Sequence, residues 1–124
     1  MSKKTRELVM QRADSRCELC GAFSFGFMGY SFHHRKPRGM GGTKNKKSEK
    51  PSNIILLCGS GTTGCHGRVE SMRDWSRDNG ILVCQSDDPL QVKIKLLVGW
   101  CHLLDDGSYV TTGGVYPILK SDLL

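Results

Sequence analysis

The chain has 124 residues, which is the size of one domain, because domains most often contain about 100–150 residues. Its longest apolar run, Ile54–Cys58, is far shorter than the about 20 residues that cross a bilayer. The charged N-terminus leads into no apolar stretch, so we expect neither a membrane-spanning nor an exported protein. These features favour a cytoplasmic location.

The formal net charge of +6 is concentrated in one segment. Residues 33–50 contain seven Lys and Arg residues against Glu49 alone, residues 1–16 add a smaller excess, and the remainder is mildly acidic. A compact basic stretch is typical of a surface that binds a polyanion such as nucleic acid. A solvated lysine-rich loop has the same composition, and charge alone does not separate the two interpretations.

The first predicted element is a short helix over Thr5–Ala13, which ends at Asp14-Ser15. It leads into Cys17-Glu18-Leu19-Cys20, which is followed by Gly21 and has the pattern of the tight turn of a zinc knuckle. Aromatic residues alternate over the following segment. They predict a loop and then a strand that ends near His33-His34.

A long loop should follow this strand, because residues 35–52 hold Pro37 and three glycines besides the lysines. The apolar segment Asn53–Cys58 predicts a short buried strand. After a glycine-rich turn, apolar residues recur at offsets of three over His66–Asp78. This period predicts an amphipathic helix that stops at Asn79-Gly80.

Beyond the helix, short apolar segments separated by Asp-rich turns predict a small antiparallel β extension over about residues 80–120. Its strands are expected at Ile81–Val83, Val92–Val98 and Tyr109–Val110. The chain as a whole, residues 1–124, is therefore interpreted as a single α+β domain with a core over residues 15–78.

Six cysteines in a chain without an export signal should stay reduced, which favours metal binding over disulfides. Four thiolates at about 2.3 Å from Zn²⁺ make a closed tetrahedral structural site. Four of the six form two pairs: Cys17 with Cys20, which Gly21 follows, and Cys58 with Cys65, which enclose a glycine-rich turn. The remaining two, Cys84 and Cys101, lie among apolar residues and are expected to be buried.

In this order and at these spacings, the motifs resemble the HNH endonuclease family, and specifically its small phage members with a four-cysteine zinc site. The matching segments are Cys17-Glu18-Leu19-Cys20-Gly21, residues 33–42, residues 53–67 and, in the tail, residues 80–83 and 88–92. The resemblance covers most of the chain. It implies a ββα-metal, treble-clef-like core that is stapled by the zinc site and followed by the β extension.

The resemblance also implies roles for three histidines and one asparagine. His34 corresponds to the general base, since a neutral imidazole can accept a proton from water near pH 7; the alternative is that it only binds metal or packs in the strand. His33 and His66 correspond to the ligands of one catalytic divalent cation. Asn53 would hold the loop backbone in place. Because neighbours on a strand face opposite ways, His33 and His34 can share a centre only if the strand end twists.

The catalytic cation cannot be chosen from these residues alone. With two imidazole ligands, Mn²⁺, Ni²⁺ and Zn²⁺ are as plausible as Mg²⁺, which prefers oxygen. His66 also follows Cys65 directly and is a potential fifth zinc ligand. Four cysteines already complete a tetrahedron, so His66 is expected to bind the second ion instead.

The expected activity is metal-dependent DNA cleavage, as nicking or as double-strand cleavage. Contacts to backbone phosphates give salt-sensitive affinity and little sequence discrimination. The predicted phosphate contacts are Arg35, Lys36, Arg38, Lys44, Lys46 and Lys47. The resemblance further implies that the protein works beside the phage terminase during DNA packaging, in the host cytoplasm. The alternative is a non-catalytic zinc-knuckle module that binds DNA or a packaging complex.

Overall fold

Short helices and two antiparallel sheets make up the part of the protein that the computed structural model describes, residues 1–23, 29–37 and 49–111. In chain order the elements are α1 (Lys3–Ala13), β1 (Tyr30–His34), a 3-10 turn (Pro51–Asn53), β2 (Ile54–Cys58), α2 (Gly64–Ser71), α3 (Arg73–Asp78), β3 (Ile94–Leu96), β4 (Gly99–Leu103) and β5 (Tyr109–Thr111). The predicted mixed α+β class is confirmed. Within the described ranges, none of the helices has the length and apolar character needed to cross a membrane.

Helix α1 is present where the sequence predicts it, but it begins two residues earlier. The Ser2 hydroxyl accepts a hydrogen bond from the Thr5 N–H at 3.1 Å and caps the first turn. The helix ends where Asp14 adopts a left-handed conformation, with φ of 57°. Its buried residue Val9 packs against Ile54, which positions α1 on one face of the β1–β2 hairpin.

Strands β1 and β2 pair antiparallel, with His33 opposite Ile55 and His34 opposite Ile54. Strand β2 is buried on both faces. Ile54 and Leu56 belong to the apolar cluster that includes α1, while Ile55 and Leu57 belong to a second apolar cluster. This explains the uninterrupted apolar run in the sequence. It also means that the two faces of the hairpin meet different parts of the molecule.

The glycine-rich turn between β2 and α2 can be formed only by glycine at two positions. Gly59 and Gly64 have φ of 84° and 62°, which side-chain-bearing residues rarely adopt. A Cβ at Gly64 would lie 2.6 Å from the Cys58 carbonyl oxygen, and one at Gly59 would lie 2.2 Å from that of Thr63. The close approach of these backbones brings Cys58 next to the start of α2.

The single helix predicted over His66–Asp78 is wrong, because the structure breaks it at Met72, with φ of −110° and ψ of 64°. The buried Ser76 hydroxyl donates to the Val69 carbonyl oxygen at 2.8 Å. In an unbroken helix that carbonyl accepts from the N–H of residue 73. The buried Ser76 hydroxyl therefore supplies the donor that this carbonyl oxygen lacks at the bend. The periodicity of the apolar residues does not reveal the break.

The C-terminal sheet has the strand order β3-β4-β5, and its apolar residues join the cluster that contains Ile55 and Val69. The strand expected at Val92–Val98 is shorter, because Leu97 and Val98 form the turn into β4, a strand that the sequence analysis missed. The strand expected at Tyr109–Val110 is present as β5.

The predicted strand at Ile81–Val83 is wrong. These residues are buried, but their backbone bonds to other elements: the Ile81 N–H donates to the Ser76 carbonyl at 2.8 Å and the Val83 N–H to that of Arg35 at 2.9 Å. An apolar triplet that fills the core without a neighbouring strand has the same sequence pattern as a strand.

The side chain of Arg35 anchors this segment to the hairpin. It is fully buried, and burial lowers its pKa to about 10, which leaves it charged at neutral pH. The guanidinium donates at 2.8–3.2 Å to four carbonyl oxygens, those of Ser52, Gly80, Pro89 and Val92. The prediction that Arg35 contacts DNA is therefore wrong, because a guanidinium inside the protein cannot meet a phosphate.

Replacement of Arg35 by Met should destabilise the fold. It would leave several buried carbonyl oxygens without a donor, and each unsatisfied group costs about 1–3 kcal/mol, so we expect the free energy of unfolding to fall by about 3 kcal/mol or more. Urea unfolding of the variant would measure this. Lys36→Met, at the neighbouring and partly exposed position, is the control and should change stability by less than about 0.5 kcal/mol. Equal stability of the two variants would contradict the anchoring role.

Candidate metal centres

Two groups of metal-ligating side chains converge in the described residues, and within each group the ligand atoms all lie within 4.8 Å of one another. The first contains four sulfur ligands, from Cys17, Cys20, Cys58 and Cys65. The second contains two imidazoles and a carboxylate, from His33, His66 and Glu70. The first group was predicted in full, and the second in part.

The four-cysteine cluster joins three separate pieces of the chain. Cys17 and Cys20 lie in the turn after α1, Cys58 ends β2, and Cys65 lies in the first turn of α2. All four are free thiols. A tetrahedron with Zn–S bonds of about 2.3 Å has sulfur–sulfur edges of about 3.8 Å. The Cys20 and Cys58 sulfurs are 3.8 Å apart, which is the length of one such edge, and all four sulfurs lie within 4.8 Å of one another.

The electrostatics of the cluster are those of a site that needs a cation. Burial raises the pKa of Cys20 and of Cys65, and the neighbouring Cys17 sulfur raises the latter further. Burial opposes ionisation of Cys17 as well, but backbone N–H donors from Cys20, Cys58 and Leu19 lower its pKa below the ordinary value. The backbone thus favours the thiolate of Cys17, whereas burial favours the neutral thiols of Cys20 and Cys65 unless a metal ion is bound.

The two other cysteines lie outside this cluster. Cys101 is buried in β4, as predicted, among the apolar residues of the main cluster. The prediction that Cys84 is buried is wrong, because it is exposed in the loop before β3. This loop turns outward after Val83, which the short apolar segment in the sequence did not indicate.

The second group lies between the end of β1 and α2. Glu70 Oε1 is 3.5 Å from both His33 Nδ1 and His66 Nε2, and the two imidazole rings have centroids 5.2 Å apart. Two donors bound at about 2.1 Å to one ion lie about 3–3.5 Å apart. The three ligand atoms therefore have the spacing of a set that shares one cation.

Hydrogen bonds fix which nitrogen of each imidazole carries the proton. His33 Nε2 lies 3.0 Å from the Ile81 carbonyl oxygen, which only accepts, so Nε2 holds the proton and Nδ1 keeps its lone pair. The single hydroxyl proton of Ser31 is donated to the Gly59 carbonyl at 3.0 Å. The Ser31 oxygen must then accept from His66 Nδ1, at 2.5 Å, so a neutral His66 ring carries its lone pair on Nε2.

Both free lone pairs therefore point toward the Glu70 carboxylate. Burial lowers the pKa of His33 to about 4, so this imidazole is neutral at pH 7 and can bind a metal. Two lone pairs and a carboxylate oxygen repel one another unless a proton or a metal cation lies between them, and the three groups could hold either. Two imidazoles and one carboxylate occupy one side of such an ion and leave positions for water or substrate.

Glu70 is the ligand that the sequence analysis missed. It follows His66 by four residues on the same helix, and residues at this spacing lie on one helix face. The His-x3-Glu spacing after Cys65 was therefore a usable signal. A glutamate on a helix is also typical of a solvated face, so this spacing does not identify a ligand until the fold brings His33 beside it.

His34 does not join this group. Its Nε2 is 3.3 Å from Glu49 Oε1, and it lies on the hairpin face that Ile54 and Phe32 share, next to α1. His33 lies on the opposite face. The alternation of strand residues thus persists to the end of β1, and the twist expected to bring His33 and His34 together is absent.

Asn53 forms the backbone contacts expected of a positioning residue. It is fully buried; its Oδ1 accepts from the Lys36 N–H at 2.8 Å and its Nδ2 donates to the Lys36 carbonyl at 3.2 Å. Its own carbonyl accepts from the Arg35 N–H at 2.8 Å. These bonds hold the segment that directly follows His34, and any part of Asn53 in a reaction stays a prediction.

Of the predicted phosphate contacts, Lys36 is the one that remains accessible in the described residues. Its side chain donates to the Asp87 carbonyl at 3.1 Å in an exposed position. Arg38, Lys44, Lys46 and Lys47 lie outside the described residues. Comparison with protein-family models, curated proteins and solved structures finds no match, so the resemblance to HNH endonucleases depends on the motif residues themselves.

The four-cysteine cluster should be required for folding. Protein purified without chelator is expected to contain about one tightly held Zn²⁺ per chain, and Cys17→Ser should lose both the ion and most of its circular-dichroism signal, because metal binding contributes much of the folding free energy. Cys84→Ser, at an exposed cysteine outside the cluster, is the control and should retain both. A Cys17→Ser protein that keeps its zinc and its fold would contradict the assignment.

The second group should bind a further divalent cation, more weakly. In calorimetric titrations of the zinc-loaded protein with Mn²⁺, Glu70→Gln should lower the affinity by about 10–100-fold, because it removes the anionic ligand. His34→Ala should leave the Mn²⁺ affinity unchanged, since His34 lies on the other face of the hairpin. The same affinity for Glu70→Gln and the wild type, or a loss in His34→Ala, would show that the ion binds elsewhere.

Proposed function

We propose that the protein is a metal-dependent DNA endonuclease of the HNH type, which hydrolyses phosphodiester bonds with low sequence specificity. The observation that supports this most directly is the convergence of His33 Nδ1, His66 Nε2 and Glu70 Oε1, with both imidazole tautomers fixed for metal binding. The order of β1, β2 and α2 along the chain also agrees with the ββα-metal core that the resemblance implies.

In this proposal the chain supplies both a cation site and a base. A divalent cation held by the three ligands would stabilise negative charge on the phosphoryl group and the leaving oxygen. His34 accepts the proton of the attacking water. The Glu49 carboxylate can only accept a hydrogen bond, which it receives from His34 Nε2–H. The lone pair on Nδ1 of the same ring is then available for the proton of the water. Asn53 keeps the segment after His34 in place.

His34 lies on the other hairpin face, and the strand twist that would bring it beside His33 is absent, so the proposal requires a phosphodiester that lies across the end of β1 and reaches both faces. His33 and His34 are consecutive, so their Cα atoms are only about 3.8 Å apart. In an in-line displacement the attacking water and the leaving oxygen lie on opposite sides of the phosphorus. A phosphodiester across the end of β1 would meet the base on one side and the cation ligands on the other.

The basic segment would bind the DNA backbone on either side of the cut. Lys36 and the lysine-rich stretch that follows it in the sequence carry positive charge, and they come directly after β1 in chain order. Neutralisation of phosphates by such residues gives affinity that falls steeply with salt and does not depend on sequence. By the resemblance, the setting would be phage genome packaging in the host cytoplasm, beside the terminase.

One observation favours the alternative of a non-catalytic zinc module, namely that His34 does not lie in the ion-binding group. Such a module would need the four-cysteine cluster and the basic segment only. It would have no use for two imidazole tautomers that are both fixed toward a carboxylate. We therefore favour the endonuclease.

Cleavage of supercoiled plasmid in Mg²⁺, Mn²⁺ or Ni²⁺ tests the proposal. The wild type should nick or linearise the plasmid, and His34→Ala should be about 10²–10⁴-fold slower, because a general base contributes a rate factor of this size. His102→Ala, at a histidine on β4, is the control and should cleave at the wild-type rate. If His34→Ala cleaves as fast as the wild type, the base is wrongly assigned; if the wild type cleaves with none of the three ions, the non-catalytic module is correct.

A further inference from the structure

The Glu70 carboxylate has two differently placed oxygens. Oε1 is 3.5 Å from the ligand nitrogens of both His33 and His66, whereas Oε2 is 3.4 Å from a terminal nitrogen of Arg73. Arg73 is the first residue of α3, directly after the helix break. One carboxylate thus connects the candidate cation site to a guanidinium.

Arg73 also borders the most accessible edge of this site. The side chains of His33 and His66 are 2% and 15% exposed, and those of Glu70 and Arg73 are 38% and 49% exposed. Among the described residues, Glu70 and Arg73 are thus the members of this group that a substrate can contact most readily. Glu70 is the partner that the described residues provide for Arg73, and a guanidinium has five N–H donors.

The charges at this edge favour an anion. With a divalent cation bound, the single carboxylate of Glu70 would be outweighed by the cation and the Arg73 guanidinium together. A phosphodiester presents two non-bridging oxygens, and the planar guanidinium pairs with such oxygens through parallel N–H donors. A half-exposed arginine next to the ion site is suited to hold the phosphate while the ion acts on it.

We propose that Arg73 is a substrate-binding residue, which holds Glu70 Oε2 with one N–H and contacts a non-bridging oxygen of the cleaved phosphodiester with others. This inference rests on the proposed endonuclease function. It gives a role to a residue outside every motif of the resemblance, and it separates Arg73 from the basic segment, whose residues would contact other phosphates.

Arg77 provides a matched control on the same short helix. Its side chain is 52% exposed and it forms a comparable surface ion pair, with Asp74 at 3.9 Å, but neither of these residues contacts the ion-binding group. Arg73→Gln and Arg77→Gln therefore remove the same charge from the same helix. Arg73→Lys keeps the charge and removes the planar fork.

The experiment combines plasmid cleavage in saturating Mn²⁺ with calorimetric titration of Mn²⁺. Arg73→Gln should lower kcat/KM about 100-fold, as expected for loss of a group that stabilises charge at the reacting phosphate. Its Mn²⁺ affinity should fall by less than about tenfold, because the three ligands remain. Arg73→Lys should recover part of the loss, and Arg77→Gln should stay within about twofold of the wild type.

Three outcomes would overturn the inference. Equal cleavage by Arg73→Gln and Arg77→Gln would show that Arg73 contributes only surface charge. Full recovery of Arg73→Gln at higher Mn²⁺ would show that it acts only by orienting Glu70. A wild type that does not cleave would defeat the proposed function itself, and the inference with it; in the first two outcomes the function stands.

Discussion

The geometry of the molecule depends on the contact between four sulfur atoms. The cluster joins the turn that contains Cys17, the end of β2 at Cys58 and the first turn of α2 at Cys65. Val69 of α2 packs in one apolar cluster with Ile55 of β2, and the sulfur cluster adds a contact at the start of the same helix. A metal ion in the cluster would fix the start of α2, and with it the position of the next residue, His66.

The two candidate metal centres thus share one helix turn but differ in chemistry. Sulfur ligands on all sides make a closed site, which suits a structural ion. Two imidazoles and the Glu70 carboxylate occupy one side only and leave room for a reacting group. The hydrogen bonds of Ser31 and of the Ile81 carbonyl orient these imidazoles, so the strand, the glycine-rich turn and the segment after α3 all contribute to the second site.

Two buried arginines supply hydrogen-bond donors to backbone carbonyl oxygens in the interior, as regular secondary structure does elsewhere. Arg12 donates to both carboxylate oxygens of Glu18 at 2.8–3.0 Å and also to the carbonyls of Pro51 and Ile54. Arg35 binds four carbonyls of irregular segments in the same way. Five donors in one plane can satisfy several backbone oxygens at once, which explains how loops without their own hydrogen-bond ladder are held in the interior.

The sequence by itself determined the parts that depend on short-range spacing. The cysteine pairs and the buried strand of the hairpin could be predicted, because ligand spacing and strand period are visible over a few residues. The grouping of His33 with His66 was expected from the resemblance alone. Glu70 was also within reach, since its spacing from His66 is that of one helix turn.

Only the tertiary structure decided which groups the longer polar side chains contact. Arg35 has the sequence context of a basic DNA-binding loop, yet the carbonyls that surround it come from distant segments. The face of the hairpin that carries His34, the helix break at Met72 and the contact between Arg73 and Glu70 likewise depend on packing between elements. Composition and periodicity describe neighbours along the chain, whereas burial and charge pairing are set by neighbours in space.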